Sequence, residues 1–406
     1  MPSAKLTFPK VAASFSPFWF FLLLFKLGAG LHYGLIPVLG AHVLPLPIVG
    51  LFIGGSALIQ VALDVPAGFA LERYGYLPML QVSTLCFLAA GAVFIPGLTP
   101  LTFILSMILS AFGWLFLDPG VSAYLMAHSP SQYTGRLFGL YRTMEAIGIT
   151  IAVLGLPFFV QFSHSVVGLL IVYPFIGAFA ALIIARRQVL PPILAPHLRH
   201  RRRVVQSSLN ELWQAFRSLH PVSTAFGLYF TLSCGFYGLL WFTLPLLIAA
   251  DSSHAHVISL GLAMLDASTI IIGFFLGQLA DTFSKKVIAL LALLSLAIIS
   301  SLLASTFTPI FIVLCFLFSI SNEAFTITLW SWVDSLAPQG TRYGLITGSL
   351  TFLADLGWTL GPIIGGLLYV TLGPISSLKW SGLVVGLCAL LIGLLLTTAK
   401  SPKKLT

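Results

Sequence analysis

Twelve stretches of nearly unbroken apolar residues divide this chain, at approximately 15–40, 47–71, 77–97, 100–127, 135–160, 165–186, 221–250, 256–280, 286–305, 308–335, 342–370 and 377–398. A helix needs about 20 such residues to cross a hydrocarbon core of roughly 30 Å. A membrane strand would need only about 10, with alternating polarity. The runs here are continuous and too long for strands, so each predicts a membrane-spanning helix. Several carry Gly or Pro, as in Gly28, Gly30, Gly34 and Pro37 of the first. Membrane helices tolerate these because neighbouring helices satisfy the freed backbone groups. Kinked and closely packed helices are expected.

Composition points the same way. Hydrophobic residues make up 58% of the 406 positions and charged residues 8%, against about 25% charged in soluble domains. So much apolar surface has no place to go in water, and lipid is the expected solvent. Of the 20 Lys and Arg, only Lys379 falls on or near one side of this map. Lys26 and Arg142 fall inside runs, and all the others share the opposite side. By the positive-inside rule both termini lie in the cytoplasm, which needs an even number of spans. The net charge of +9 sits at helix ends and in one linker, where orientation and anionic lipid account for it, and nucleic acid is not an expected partner. Cys86, Cys234, Cys315 and Cys388 lie in four different runs, so neither a disulfide framework nor a metal site is predicted. The first run is long enough to span and lacks a small-residue cleavage pattern.

Features of the first six runs recur in the last six. Glu72 and Asp281 close similar turns 209 residues apart. Arg136 and Arg342, each following a Pro-containing turn, are separated by 206. Tyr33-Gly34-Leu35 followed by Pro37 returns at Tyr237-Gly238-Leu239 with Pro245, an offset of 204. Three similar offsets in chain order predict two six-helix halves: an N-terminal bundle over 1–186, a cytoplasmic linker over 187–220 and a C-terminal bundle over 221–406. In the linker Leu209, Leu212, Trp213, Phe216 and Leu219 have the spacing of an amphipathic helix lying on the membrane face. A solvated tether fits 187–205 equally well.

The two turns between the second and third run of each half carry the sharpest motif. Gly68, Glu72, Arg73 and Gly75 form one copy, and Gly277, Asp281, Lys285 and Lys286 the other. This chain resembles the Major Facilitator Superfamily of secondary transporters, whose signature at that turn is Gly-x-x-x-Asp-Arg-x-Gly followed by two bases. In the first copy Glu72 replaces Asp and the trailing bases are missing; in the second Thr282 replaces Arg and Ser284 replaces Gly. The resemblance implies an all-α membrane fold of twelve helices in two pseudo-symmetric bundles. It also implies a gate in which each acid faces a helix start in the other half, where the macrodipole favours negative charge. That pairs Glu72 with the region of Arg342, and Asp281 with that of Arg136. A glycine pattern of the family's drug–proton antiporters is met by Gly348, Gly357, Gly361, Pro362, Gly365 and Gly366, but in the eleventh span instead of the fifth. Glycines at helical spacing also serve close packing, and the fourth span lacks those antiporters' Arg.

Eight charges fall inside the spans: Lys26, Asp64, Asp118, Arg142, Glu145, Asp266, Glu323 and Asp355. A lone charge at the bilayer centre costs about 2.5–3.5 kcal/mol, so they must face protein or water. Counting 1.5 Å per residue, Asp64, Asp118, Arg142 and Glu145 fall in the cytoplasmic third, where a structural ion-pair cluster is expected with Arg136 and Arg342 nearby. Lys26, Asp266, Glu323 and Asp355 fall nearer the middle. In the family, spans one, four, seven and ten line the central cavity. The resemblance therefore makes Lys26 and Glu323, then Asp118, the first substrate or proton candidates, with Asp266 and Asp355 also candidates and His32, Tyr237 and Trp241 beside them. Helix five meets helix eight there, which makes Arg142 with Asp266 a candidate switch pair. A solvated loop is the expected reading of His254 and His256 after Asp251.

The expected protein is a plasma-membrane or bacterial inner-membrane transporter, monomeric, moving a small solute by alternating access with proton or cation coupling. Proton-coupled efflux of drugs is the alternative, and a non-transporting sensor or scaffold the alternative from another class. There is no Gly-x4-Gly-Lys-Ser/Thr motif, no cofactor is expected, and no nucleophile or metal constellation suggests an enzyme.

Overall fold

The computed structural model describes residues 8–128, 134–187, 221–282, 284–303, 307–336 and 343–398. They form helices without a single strand among the described residues. A short α1 (Phe8–Ser14) precedes α2 (Ser16–Ala41), α3 (Leu46–Tyr74), α4 (Tyr76–Ala92), α5 (Pro100–His128), α6 (Thr134–Leu154), the single-turn α7 (Leu156–Phe159) and α8 (His164–Arg187). Then come α9 (Pro221–Ala250), α10 (Ala255–Thr282), α11 (Lys285–Leu302), α12 (Pro309–Leu336), α13 (Tyr343–Leu372) and α14 (Pro374–Thr398). Each expected span coincides with a helix, the fifth being interrupted at Gly155 between α6 and α7. Among the described residues nine helices are long and apolar enough to cross a membrane, and Tyr76–Ala92 and Lys286–Leu302 are shorter apolar helices. Leucines on their outer faces stay exposed, as at Leu291, Leu294, Leu391 and Leu395, which suits a surface bathed in acyl chains.

The chain divides into two compact units, Met1–Pro45 with Gly55–Val205, and Leu46–Gly54 with Gln206–Thr406. Within the first, α2 packs along α6 and α8, and α4 along α5 and α8. Within the second, α9 packs along α13 and α14, and α11 along α12 and α14. Span for span this is the same arrangement twice. The match is not complete: α10 lies along α12 and also meets α9, whereas no equally extensive packing joins α3 to α5 or to α2 among the described residues.

The shared arrangement rests on glycine. A Cβ on Gly148 of α6 would lie 2.7 Å from the Leu23 carbonyl oxygen and 2.8 Å from the Leu27 nitrogen of α2. One on Gly30 of α2 would lie 2.8 Å from the Ala152 Cβ of α6. In the second unit a Cβ on Gly357 of α13 would run into the Thr231 carbonyl oxygen of α9, and one on Gly361 into that of Gly235. Lipid tails are as apolar as leucine, so membrane helices associate by close contact, and small residues let backbones meet. Gly357, Gly361 and Gly365 of the eleventh-span pattern are thus engaged in packing α13 on α9. Gly75, with φ of 92°, ends α3 and starts α4; its left-handed conformation suits only glycine, which explains that position of the turn motif.

Gly148→Val is expected to destabilise the first unit by about 1–3 kcal/mol through overpacking. Gly55→Ala, where a Cβ meets nothing within 4 Å, should be neutral or slightly stabilising. Thermal unfolding of the two purified variants checks the contrast.

Candidate functional site

Close approach of α6 to α2 has an electrostatic result. Gly148 sits against the backbone at Lys26, and Glu145 lies three residues earlier, nearly one turn, on the same helix. Lys26, only 1% exposed, forms an ion pair with Glu145, 14% exposed. Its Nζ also lies 3.3 Å from Asp118 Oδ1 of α5, whose side chain is 56% exposed. Glu145 receives a second cation, Arg142 Nη1, at 2.9 Å across one turn of α6. The Tyr141 hydroxyl donates to Asp118 Oδ1 at 3.2 Å. Above this group the Lys26 ammonium stands 4.7 Å from the Trp114 ring centroid, where the negative ring face attracts it. Three helices contribute two bases and two acids, so the group is neutral as a whole.

Expectation separated these residues by depth, with Lys26 near the middle and Asp118, Arg142 and Glu145 in the cytoplasmic third. The structure joins them in one layer. Lys26 lies ten residues into α2, Asp118 ten residues before the end of α5 and Glu145 eleven residues into α6, about 15 Å inward in each case. Counting along each helix alone ignores the level at which neighbours pack and the reach of a lysine stem. Asp64 joins no ion pair among the described residues; the charge acting on it is another acid, Asp118.

Further along α2, His32 is buried and its Nε2 lies 3.0 Å from Ser106 Oγ. The Ser106 hydroxyl proton is committed to the Ala90 carbonyl at 2.9 Å, so Nε2 must donate and Nδ1 carries the lone pair. Among the described residues no donor meets that Nδ1. Ser106, Ser110, Trp114 and Asp118 recur every fourth residue of α5, one face of a helix. That spacing is present in the sequence, but only Asp118 is marked there by its charge, and Tyr141 by nothing.

In the second unit the Tyr237 hydroxyl of α9 donates to the Leu265 carbonyl at 3.3 Å, and its ring lies against Phe318 at 5.5 Å and Trp358 at 6.4 Å. Asp266 of α10 and Glu323 of α12 act electrostatically on Tyr237. Glu323 and Asp355 of α13 act on Cys234. Three acids from three helices therefore converge on one stretch of α9. Ser233 bonds to Asn322, and Ser319 to the Leu265 carbonyl; these polar partners went unnoticed in the sequence because single Ser residues in membrane helices carry no pattern. Trp241 is buried in α9. In the turn before α10, Ser253 and His254 hydrogen-bond the Asp251 carboxylate, holding it down at about 2.

Of the turn motifs, Arg73 is exposed with its guanidinium 5.4 Å from the Tyr74 ring centroid, and Lys286 is the second residue of α11. The side chains of Glu72, Arg136, Asp281 and Lys285, the surroundings of Gly277, and all of Arg342 and of 188–220 lie outside the described residues.

The structure is an all-helical membrane bundle of two similarly packed units, with ion-paired charges inside the first. The chain belongs to the Major Facilitator Superfamily, whose family profile matches residues 12–354; it is a membrane transporter and not an enzyme. It is similar to Multidrug resistance protein 2 of Bacillus subtilis (strain 168), 24% identical over 330 residues that make up 79% of each chain. Among solved structures it resembles a POT family transporter, with TM-score 0.71 and 12% identity over 95% of this chain and 96% of that one. It also resembles the human organic anion transporter MFSD10, with TM-score 0.64 and 15% identity over 94% and 98%. At such identities these structures speak for the fold alone.

Glu145→Ala should destabilise the first unit by about 3–5 kcal/mol, because it leaves a buried ammonium short of one partner. Replacing both groups, as Lys26→Met with Glu145→Leu, should recover most of the loss. A double-mutant cycle on thermal unfolding measures both.

Proposed function

We propose that this transporter moves a small solute by alternating access and draws its energy from a proton or cation gradient through the Lys26, Asp118, Glu145 and Arg142 group. The observation that carries the reading is the placement of four ionisable side chains from three helices in one layer, about half-way through a core of roughly 30 Å. A neutral group of two acids and two bases can gain or lose one charge and change its pairing, which is what coupling requires. Glu323, Asp266 and Asp355, around Tyr237 and Cys234, are a second set of candidates in the other unit. The two turn motifs are read as the gate, and both termini and the linker as cytoplasmic, in a protein acting as a monomer.

The relative named as a multidrug resistance protein favours one second reading, proton-coupled export of amphipathic compounds. The aromatic residues Tyr33 and Trp114, in edge contact at 6.1 Å beside the charged layer, suit such compounds.

The test is proton movement in sealed liposomes holding the purified chain and a trapped pH dye, challenged with a solute panel. A transported solute should shift internal pH, and Glu145→Gln should lower that signal at least tenfold while solute exchange at equal pH persists. Solute movement that ignores the pH gradient in the unaltered chain would count against coupling.

A further inference from the structure

Two members of the layer around Lys26 are open and two are enclosed. Lys26 is exposed to 1% and Glu145 to 14%, whereas Asp118 keeps 56% of its side chain exposed and Arg142 65%. One open group is an acid and the other a base. Charged side chains so exposed within a membrane bundle face a water-filled space, since lipid offers them nothing. Both bonds to Asp118, from Lys26 and from Tyr141, fall on Oδ1, and Oδ2 accepts none among the described residues. Arg142 meets Glu145 through Nη1 at 2.9 Å, while a guanidinium carries five N–H groups in a planar fork. Tyr141 stands between the two: its hydroxyl is on Asp118, and its ring centroid lies 5.6 Å from the Arg142 guanidinium carbon. An accessible carboxylate and an accessible guanidinium are thus presented together, with one phenol ring between them.

We propose that this face of the first unit binds a zwitterion of the amino-acid type, its ammonium on Asp118, its carboxylate on Arg142 and its apolar part against Tyr33 and Trp114. The enclosed pair positions the open one: Lys26 holds Asp118 and Glu145 holds Arg142. Net charge selects this class over a simple cation or anion. A solute of positive charge alone would meet Lys26 and Arg142; one of negative charge alone would meet Asp118, Glu145 and also Asp64, which acts electrostatically with Asp118. Either would leave an added charge in a poorly screened layer, where it is costly. A solute carrying both signs adds none, whatever the state of Asp64, and so binds without a proton entering or leaving. The chemistry of each end matches. An ammonium brings donors to Oδ2, and a carboxylate takes two parallel N–H bonds from a guanidinium. Tyr33 and Trp114, in edge contact at 6.1 Å, supply the aromatic wall that such pockets use for the rest of a ligand.

This inference rests on the reading of the layer as the transporter's coupling group, but its test needs neither a gradient nor a vesicle. The purified full chain in detergent at neutral pH is titrated in a calorimeter with L-phenylalanine, with phenethylamine, which keeps the ammonium alone, and with 3-phenylpropionate, which keeps the carboxylate alone. Phenylalanine should bind saturably and at least about tenfold more tightly than either, the worth of one charge-assisted hydrogen-bonded contact. Arg142→Gln should abolish the preference for phenylalanine over phenethylamine, and Asp118→Asn the preference over 3-phenylpropionate. Each is a ratio of two affinities within one variant, which a loss of folded protein does not move. The proposal is overturned if phenylalanine shows no saturable binding, if either singly charged relative matches it in the unaltered chain, or if both variants keep the original order of affinities. Coupling could still stand in the liposome assay after any of those results.

Discussion

Everything in the first unit is arranged around the need to neutralise one ammonium. Lys26 sits in a helix whose neighbours are almost entirely hydrocarbon, and an unpaired charge there would be worth several kcal/mol against the fold. Two carboxylates, one from α5 and one from α6, remove that cost. The Glu145 carboxylate reaches it where α6 lies against α2 at Gly148. A residue with no side chain thus determines where a charged one is satisfied. The ion pairs are the consequence of a packing choice made a few residues away.

The second unit uses the same packing for a different end. Gly357 and Gly361 bring α13 against α9 as Gly148 and Gly30 bring α6 against α2. In the position that Lys26 holds in the first unit, the second has no base: its spans contribute Asp266, Glu323 and Asp355 around Tyr237 and Cys234. Duplication has preserved the scaffold and let the chemistry diverge. The first unit carries a balanced group of charges, and the second carries acids alone among its mid-span ionisable residues.

Most of the fold was legible because lipid imposes a length on every helix, and the apolar runs record it directly. The fifth span was the least regular, since Gly155 and Pro157 break it into α6 and α7, a local event that hydropathy averages away. The site was legible in part. Charged residues in apolar runs announce themselves, so Lys26, Asp118, Arg142 and Glu145 were all found, and the three-residue spacing of Arg142 and Glu145 is the pair observed at 2.9 Å. Their assembly into one layer was not, because depth along separate helices says little about lateral packing. Hydroxyl groups such as Tyr141 and Ser106 were missed for a simpler reason: they are neutral, and a neutral polar atom in a membrane helix leaves no mark until its partner is known.

The ammonium standing 4.7 Å over the Trp114 ring has an optical consequence. An indole's emission energy follows the electric field across it, because excitation moves electron density from one ring to the other. Charge entering or leaving that layer therefore changes the colour of light the protein itself emits. Among the 8 tryptophans of the chain, Trp114 is placed to act as an unlabelled voltmeter for its own lysine.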